Sequence, residues 1–441
     1  MKLKKIFFII LLLSLPMRVN AKDISKEVKI TINDNITSIY NDGNETTKKT
    51  ISRNDIIKVT TSNTINGIYI IYDTASMIGS ISSDDKTIAV GENKFLHEYI
   101  NLEDLETNEI TITYSNNVTI KEIYTFDNNS LPKWVQQWHL LDKDADLLLF
   151  STHADDEHLF FAGLLPTYVA KGYDVQVVYL TNHNDNPTRL HEQLNGLWEV
   201  GVTNYPVIGF VPDAYSTTLK SALKNLKRSG YTEDSIVDFY VELLRKYKPL
   251  IVFGHDEKGE YSHGQHILNT YVLKKALELT NNKDYYIDSF NNYGLWDVPA
   301  TYLHLYQENQ ITMDYDTPLA MFNNLTAYEI SKNGYSKHLS QQYTWFTDWL
   351  RGKKSSYTSA SQITKYSPLK FGLYRSIDNN DIKTVDDLVI ERDENKNEEE
   401  AKKQYIIINE IDAKHSLGFA ITTWVILIAI TILLIINKRR H

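Results

Sequence analysis

The sequence predicts a doubly wound α/β domain with a Rossmann-like parallel sheet, preceded by an all-β sandwich domain and followed by a single C-terminal transmembrane helix. Three observations support this fold class. Short β-branched segments recur up to about residue 130, apolar strands alternate with helical stretches after residue 146, and one uncharged apolar segment lies near the C-terminus. The predicted ranges are 1–21 for a signal peptide, 22–130 for the sandwich, 131–376 for the α/β domain, 377–415 for a charged stalk, 416–437 for the transmembrane helix and 438–441 for a cytoplasmic tail.

The sandwich is predicted from segments such as 68–72 and 110–114, which are rich in Ile, Tyr and Thr and are separated by turns of Asn, Asp, Gly and Ser. This spacing is typical of a β-sandwich. The pattern resembles the jelly-roll carbohydrate-binding modules of many secreted enzymes. Tyr69, Tyr72 and Tyr99 could stack on sugars, or they could fill the core of the sandwich.

In the second domain, continuous apolar strands are each followed by a helical pattern. The strands are predicted at 146–151, 175–180, 207–211 and 250–253, and the helices at 158–171, 189–200, 236–246 and 264–279. Alternating strands and helices indicate a parallel sheet that is covered on both faces. The ligand of such a fold lies beyond the carboxyl ends of the strands.

Both ends of the chain are apolar. Lys2, Lys4 and Lys5 precede a short apolar stretch and a small-residue cleavage site, which is the pattern of a signal peptide. Residues 417–436 are uncharged and long enough to cross a bilayer, and the basic residues after them favour a cytoplasmic tail. We therefore expect a single-pass protein of the cell membrane whose catalytic domain is extracellular.

The charge and the residue composition limit which partners and which metal ligands the protein can use. The formal net charge is −10, and no long basic cluster lies away from the termini, so nucleic acid is excluded as a partner. The chain has no cysteine, which leaves only His, Asp and Glu as side-chain ligands for zinc.

Two clusters of ionisable residues follow predicted strands. Residues 152–158 read Thr-His-Ala-Asp-Asp-Glu-His, and residues 254–266 read Gly-His-Asp-Glu-Lys-Gly-Glu-Tyr-Ser-His-Gly-Gln-His. A single His-rich loop is usually a solvated turn. Two such loops at the carboxyl ends of predicted parallel strands indicate a metal site.

These clusters resemble the LmbE/PIG-L family of zinc N-deacetylases, which has a His-Pro-Asp-Asp-Glu segment after its first strand and a later His-Asp…Gly-x-Tyr-x-His-x-x-His segment. The resemblance covers roughly residues 140–345 and extends to 188–192 and 334–341. It implies an LmbE/PIG-L-like fold, a Zn²⁺ cofactor and a substrate that contains an N-acetylated amino sugar.

By this resemblance, His153, Asp156 and His266 are the zinc ligands and Asp155 is the general base. Two imidazoles and one carboxylate leave a tetrahedral position open, which is the pattern of catalytic rather than structural zinc. The base would take a proton as water attacks an acetamide carbonyl.

His263 would donate a proton to the leaving amine or stabilise the oxyanion, and Tyr261 would offer its hydroxyl to that oxyanion. The residues expected to contact substrate or to orient the ligands are Arg189, Glu192, His255, Asp256 and His338. His158, His183 and His191 are interpreted as surface or packing histidines.

The chain departs from the family pattern at two positions. Ala154 replaces the usual Pro, and Gln265 lies where the family often has Asp. Neither change removes a ligand. Glu157 has two interpretations, as a residue that orients the site or as an acidic residue that favours a helix N-terminus.

Two other functions fit parts of the sequence. A 2-His-1-carboxylate iron oxygenase would use the same ligand types, but its usual His-x-Asp spacing differs from the His-x-x-Asp found here. A surface glycan-binding or adhesion protein with an inactive α/β domain would fit the sandwich and the membrane tether. The favoured hypothesis is N-deacetylation of an N-acetylhexosamine, such as N-acetylglucosamine, in a cell-surface or extracellular glycan.

Overall fold

A computed structural model of the chain describes residues 22–128, 130–342, 357–378 and 382–412, together with 427, 430 and 431. The predicted signal peptide and cytoplasmic tail lie outside these residues, as does nearly all of the predicted transmembrane segment. Among the helices that are described, none combines the length and the apolar character required to cross a bilayer. The predicted anchor at 416–437 therefore stays a prediction. Residues 1–380 and 381–441 form two compact units.

The N-terminal domain is a β-sandwich, as the sequence predicts. Its described strands form two antiparallel sheets, with orders β2-β1-β4-β9-β6-β7 and β3-β10-β5-β8. The strand bounds are β1 Lys29–Ile32, β2 Asn35–Thr37, β3 Lys49–Ile51, β4 Ile57–Ile65, β5 Gly67–Tyr72, β6 Gly79–Ser83, β7 Lys86–Val90, β8 His97–Asn101, β9 Thr107–Tyr114 and β10 Val118–Phe126.

The alternation of side chains along each strand explains the sandwich. Ile57 and Val59 on β4 face inward together with Ile68 and Ile70 on β5, and all four are fully buried in one core. Inward-facing residues of two sheets bury their apolar surface only against each other.

The central sheet of the α/β domain has the order β13-β12-β11-β14-β15-β19-β16 in the described residues. Its strands are β11 Leu147–Ser151, β12 Val175–Thr181, β13 Val207–Val211, β14 Ile251–Gly254, β15 Ala300–His304, β16 Gln310–Thr312 and β19 Lys370–Ser376, while β17 Pro318–Leu319 and β18 Leu325–Thr326 form a separate ladder.

The sheet is mixed, so the prediction of an all-parallel sheet is wrong at one edge. β11 to β15 run parallel, but β19 pairs antiparallel with both β15 and β16. Parallel neighbours require a crossover of a dozen or more residues. The short connection from β15 to β16 is not long enough for one, and the two strands lie on either side of β19 instead.

Helices cover this sheet, and most of the helices predicted from the sequence are present near their predicted positions. Their bounds are Asp156–Leu159, Leu164–Ala170, Thr188–Glu199, Leu219–Arg228, Glu233–Tyr247, Gly259–Ser262, Gly264–Leu279, Ile287–Tyr293 and Ala327–Tyr335. The continuous helix predicted at 158–171 is wrong, because the structure divides it into two short helices. Gly163 separates them with φ +90°, where a Cβ would lie 2.3 Å from the Tyr315 ring.

The sandwich and the α/β domain pack tightly within the first unit. Phe95 and Tyr205 stack with ring centroids 4.4 Å apart, and the Leu96 backbone N–H donates to the Tyr205 hydroxyl at 3.1 Å. Tyr69 is buried at this boundary and contacts Trp134, which follows the sandwich in the chain. The suggestion that Tyr69 and Tyr72 bind sugars is therefore wrong, since both side chains are buried.

A buried histidine pair joins the two domains. The ring nitrogens His97 Nε2 and His191 Nδ1 lie 2.8 Å apart, and the Tyr69 hydroxyl lies 3.1 Å from His97 Nδ1. Burial, with Lys121 nearby, lowers the pKa of His191 to about 4, and burial also lowers the pKa of His97 well below its usual range. Both rings are therefore neutral near pH 7, where one can donate to the other.

In the second unit, the segment predicted as a charged stalk contains a long helix, Val385–Asp412. Asp386 and Asp387 lie in its first turn, where acidic side chains favour a helix N-terminus. A regular helix extends by about 1.5 Å per residue, so this segment is a stiff rod rather than a coil.

The histidine pair predicts an acid-sensitive fold. The folded-state pKa of His191 lies below its unfolded value of about 6.5, so its contribution to stability is present above pH 6.5 and is lost as the pH falls towards 4. We expect the free energy of unfolding to lose roughly 2 kcal/mol through His191 between pH 7 and pH 5. Urea denaturation at both pH values measures this free energy. The difference between pH 7 and pH 5 should be smaller in His191→Gln than in the wild type.

The matched control is His139→Gln, which changes an exposed histidine. In this variant the free energy of unfolding should change between pH 7 and pH 5 as much as it does in the wild type. The same change in His191→Gln would contradict the role assigned to the histidine pair.

Candidate active site

The two ionisable clusters come together at the carboxyl ends of β11 and β14, as the topology predicts. The loop after β11 carries residues 152–158, and the segment after β14 carries residues 255–266. They border an open cleft of about 240 Å³, whose lining residues are His153, Asp155, Asp156, Leu159, Arg189, Asp213, Tyr215, Tyr261, His263 and Gln341.

The three predicted zinc ligands converge on one point. His153 Nδ1 lies 3.1 Å from Asp156 Oδ2 and 3.2 Å from His266 Nε2, and His266 Nε2 lies 3.2 Å from Asp156 Oδ2. The edges of a tetrahedral zinc site with bonds of about 2.0–2.1 Å are about 3.3 Å long. The donor atoms therefore fit zinc in both type and spacing.

The second nitrogen of each ligand histidine has its own acceptor. His266 Nδ1 lies 2.6 Å from Glu260 Oε2, and His153 Nε2 lies 3.1 Å from Gln265 Oε1. A proton on these nitrogens leaves His266 Nε2 and His153 Nδ1 with free lone pairs that point at Asp156. This arrangement fixes the tautomer that metal binding requires.

Glu260 is a buried carboxylate at the centre of this network. Its Oε1 atom lies 3.0 Å from His255 Nδ1 and 3.0 Å from His304 Nδ1, and it accepts the backbone N–H of Asp256 at 3.0 Å. Burial alone would raise the pKa of Glu260, but His255 and His266 hold it well below its usual range. The group is therefore an anion, and it is stabilised by surrounding donors.

The loop that carries the ligands is held through its own backbone. Four consecutive N–H groups donate to side chains: Thr152 to His255 Nε2 at 3.1 Å, His153 to Asp156 Oδ2 at 2.8 Å, Ala154 to His183 Nε2 at 3.0 Å and Asp155 to Glu157 Oε2 at 2.9 Å. Each bond satisfies a buried donor that regular secondary structure leaves free. The loop is thus fixed without the Pro that Ala154 replaces.

Asp155 lies beside the triad and borders the cleft. Its φ of +122° is a strained conformation for a residue with a side chain, which occurs mostly at functional sites. Its Oδ1 atom lies 3.3 Å from Arg189 Nη2. Burial raises the pKa of Asp155 to about 7, and the guanidinium opposes that rise.

His263 and Tyr261 also line the cleft. The His263 ring centroid lies 4.7 Å from that of His153 and 4.6 Å from that of His266. Burial, together with these two neighbours, lowers the pKa of His263 to about 2, so the ring is neutral. Burial raises the pKa of Tyr261, which keeps its hydroxyl protonated.

The other predicted residues occupy different places. Arg189 borders the cleft and donates to the Ala154 carbonyl at 2.5 Å. Glu192 lies behind it and accepts the backbone N–H and the hydroxyl of Ser340 at 2.7 and 2.6 Å. The remaining three, which lie outside the cleft lining, are His255, Asp256 and His338.

The sequence reasoning missed Glu260, His304 and Asp213, and it assigned His183 to packing. Glu260 lies inside the second cluster, but a spacing of six residues from His266 does not by itself indicate a contact with that ligand. Asp213 follows the carboxyl end of β13, so the topological rule that located the two clusters could also have found it.

Asp213 supplies a carboxylate near the position where Gln265 replaces the Asp that the family often has. The Gln265 side chain accepts from the Ala214 N–H at 3.0 Å and donates to the Pro212 carbonyl at 2.9 Å, so it holds the loop that carries Asp213. Asp213 Oδ1 then lies 3.4 Å from His153 Nε2. A carboxylate therefore faces this ligand even though Gln265 is neutral.

A protein-family model described as PIG-L: GlcNAc-PI de-N-acetylase matches residues 148–277. The chain is 23% identical over 178 residues to 1D-myo-inositol 2-acetamido-2-deoxy-alpha-D-glucopyranoside deacetylase 1 of Catenulispora acidiphila, covering 35% of this chain and 54% of that relative. It is 25% identical over 158 residues to 1D-myo-inositol 2-acetamido-2-deoxy-alpha-D-glucopyranoside deacetylase of Streptomyces avermitilis, covering 31% of this chain and 54% of that relative. The chain spans about half the length of the curated relatives it matches.

Among solved structures, N,N'-diacetylchitobiose deacetylase from Pyrococcus horikoshii is similar to this chain with a TM-score of 0.38 and 14% sequence identity. That match covers 55% of this chain and 91% of that chain.

The network around Glu260 predicts its effect on metal affinity. Glu260→Gln removes the negative charge that orients His266, and loss of such a partner costs about 10–100-fold in affinity. We expect the dissociation constant for zinc, measured by competition with a chromophoric chelator, to rise by that factor.

Glu257→Gln is the matched control, because Glu257 pairs with Lys274 near the protein surface rather than with a ligand. Its dissociation constant should equal that of the wild type. Equal affinity in both variants would show that Glu260 does not orient the ligand.

Proposed function

Residues 148–277 form a domain of the PIG-L family, and on this premise we propose that the chain is a zinc-dependent N-deacetylase that hydrolyses the acetamide of an N-acetylhexosamine, such as N-acetylglucosamine. The observation that carries the proposal is the convergence of His153, Asp156 and His266 beside Asp155 in an open cleft. Two imidazoles and one carboxylate match the ligands of hydrolytic zinc sites.

Zinc bound to this triad supplies Lewis acidity that polarises a carbonyl oxygen and lowers the pKa of water. Asp155 accepts the proton of the attacking water. Its pKa of about 7 suits this step, because a base near the working pH accepts the proton and can release it to the amine that leaves. Arg189 Nη2 lies 3.3 Å from this carboxylate and holds it in place.

His263 and Tyr261 stabilise the charge that develops on the carbonyl oxygen. The His263 ring lies beside those of His153 and His266, where it can donate a hydrogen bond to this oxygen, and donation of a proton to the leaving amine is the other role open to it. The protonated Tyr261 hydroxyl is a second donor, and one donor of this kind contributes about 2.7–4 kcal/mol to transition-state stabilisation.

The substrate class follows from the relatives and from the predicted ends of the chain. The names of the two relatives describe deacetylation of an acetamido-glucopyranoside. A signal peptide and a C-terminal anchor would place the cleft outside the cell, so the proposed substrate is a cell-surface or extracellular glycan. The product is a free amine on the glycan together with acetate.

The decisive experiment measures acetate released from chitooligosaccharide and from peptidoglycan by the full chain. We expect release that stops on treatment with a chelator and returns with added zinc. In Asp155→Asn the rate should fall by about 10²–10⁴-fold, because the amide cannot accept the proton.

Asp185→Asn, at an exposed position, is the matched control and should keep the wild-type rate. No acetate from any N-acetyl sugar would refute the proposed activity. That result would favour instead a glycan-binding or adhesion protein with an inactive α/β domain.

A further inference from the structure

A second buried group of metal-ligating side chains lies behind the catalytic loop. Glu157 and His158 belong to the short helix Asp156–Leu159, and His338 follows the helix Ala327–Tyr335. The side chains of all three are at most 1% exposed. We propose that Glu157, His158 and His338 form a second metal site, distinct from the triad, for a divalent ion of the zinc class.

Two of the three distances within this group are close to those of the triad. Glu157 Oε1 lies 3.4 Å from His158 Nε2 and 3.2 Å from His338 Nε2, and the three ligand atoms lie within 4.8 Å of one another. Tetrahedral zinc with these ligand types requires edges of about 3.3 Å. One carboxylate and two imidazoles again supply the donors.

None of Glu157 Oε1, His158 Nε2 and His338 Nε2 makes a hydrogen bond of acceptable geometry, although all three are buried. Leaving several buried polar atoms unsatisfied is costly, and in native structures such atoms usually point to a bound ion or water. The two imidazole nitrogens lie close to Glu157 Oε1, but the angles are wrong for hydrogen bonds. Such short contacts are expected of atoms that bind one metal ion.

Two glycines leave the space between these rings open. A Cβ at Gly196 would lie 2.7 Å from both His158 Nε2 and His338 Nε2, and a Cβ at Gly334 would lie 2.4 Å from the His158 ring. Helices Thr188–Glu199 and Ala327–Tyr335 therefore approach the histidines with no side chain between them. A methyl group at position 196 would occupy the space where the two ligand nitrogens meet.

The second site would also support the catalytic loop. Glu157 Oε2 accepts the Asp155 backbone N–H at 2.9 Å, while Oε1 faces the two histidines. An ion bound at Oε1 fixes the carboxylate that holds Asp155 in its strained conformation. It thereby ties the loop after β11 to the segment that follows Ala327–Tyr335.

The test is a metal count on the full chain, purified from zinc-supplemented culture and dialysed against metal-free buffer. Elemental analysis should give about two zinc ions per wild-type chain and about one in each of His266→Ala, His338→Gln and Gly196→Ala. The double variant His266→Ala/His338→Gln should hold none. The exposed-site control His139→Gln should keep two.

Circular dichroism checks the fold of each variant, and His338→Gln decides the question if Gly196→Ala does not fold. The proposal is overturned if the wild type holds one zinc that His266→Ala removes, or if His338→Gln retains the full wild-type count. Because the readout is metal content, this result is independent of whether acetate is released.

Discussion

The Glu260 carboxylate is the interaction on which the site depends. It is buried, so its charge is costly unless donors surround it, and His255, His266 and His304 provide them. The backbone at Glu260 has φ +54° within the kinked turn Gly259–Ser262, which is a strained conformation. From this turn the carboxylate contacts His255 just after β14, His304 at the end of β15 and His266 in the helix Gly264–Leu279.

Glu260 also links the two halves of the site. Through His266 it orients a ligand of the triad, and through His255 it reaches the backbone of Thr152 at the start of the catalytic loop. The loop and the triad therefore share one buried charge. A single substitution at this position acts on metal affinity and on loop geometry together.

Much of the fold could be predicted from the sequence because its signals are local. Runs of apolar and β-branched residues located β5, β9 and β11 to β14 to within a few residues. The antiparallel edge could not be found in the same way, because the pairing of β19 with β15 is long-range and short strands carry little pattern. The break before Gly163 depends on the contact with Tyr315, which lies far away in the chain.

In the candidate site too, local motifs could be predicted from the sequence, whereas long-range contacts could not. His153, Asp156 and His266 follow strand ends in recognisable motifs, and the structure brings them within 3.2 Å of one another. Glu260 had no motif that separated it from an ordinary surface carboxylate, and its role appears only when folding places it against three histidines. The histidines taken for surface or packing residues are buried, because contacts across elements rather than local polarity decide their environment.

The boundary between the sandwich and the α/β domain has a consequence for how such a protein can be assembled from parts. Modules joined by an exposed linker can be exchanged freely, since each keeps its own surface. Here Phe95, His97 and Tyr69 have their partners in the neighbouring domain or the connecting segment, so exchange would leave an apolar, unpaired face on both sides. The sandwich and the α/β domain would therefore have to be moved together, and changes in either must preserve their common surface.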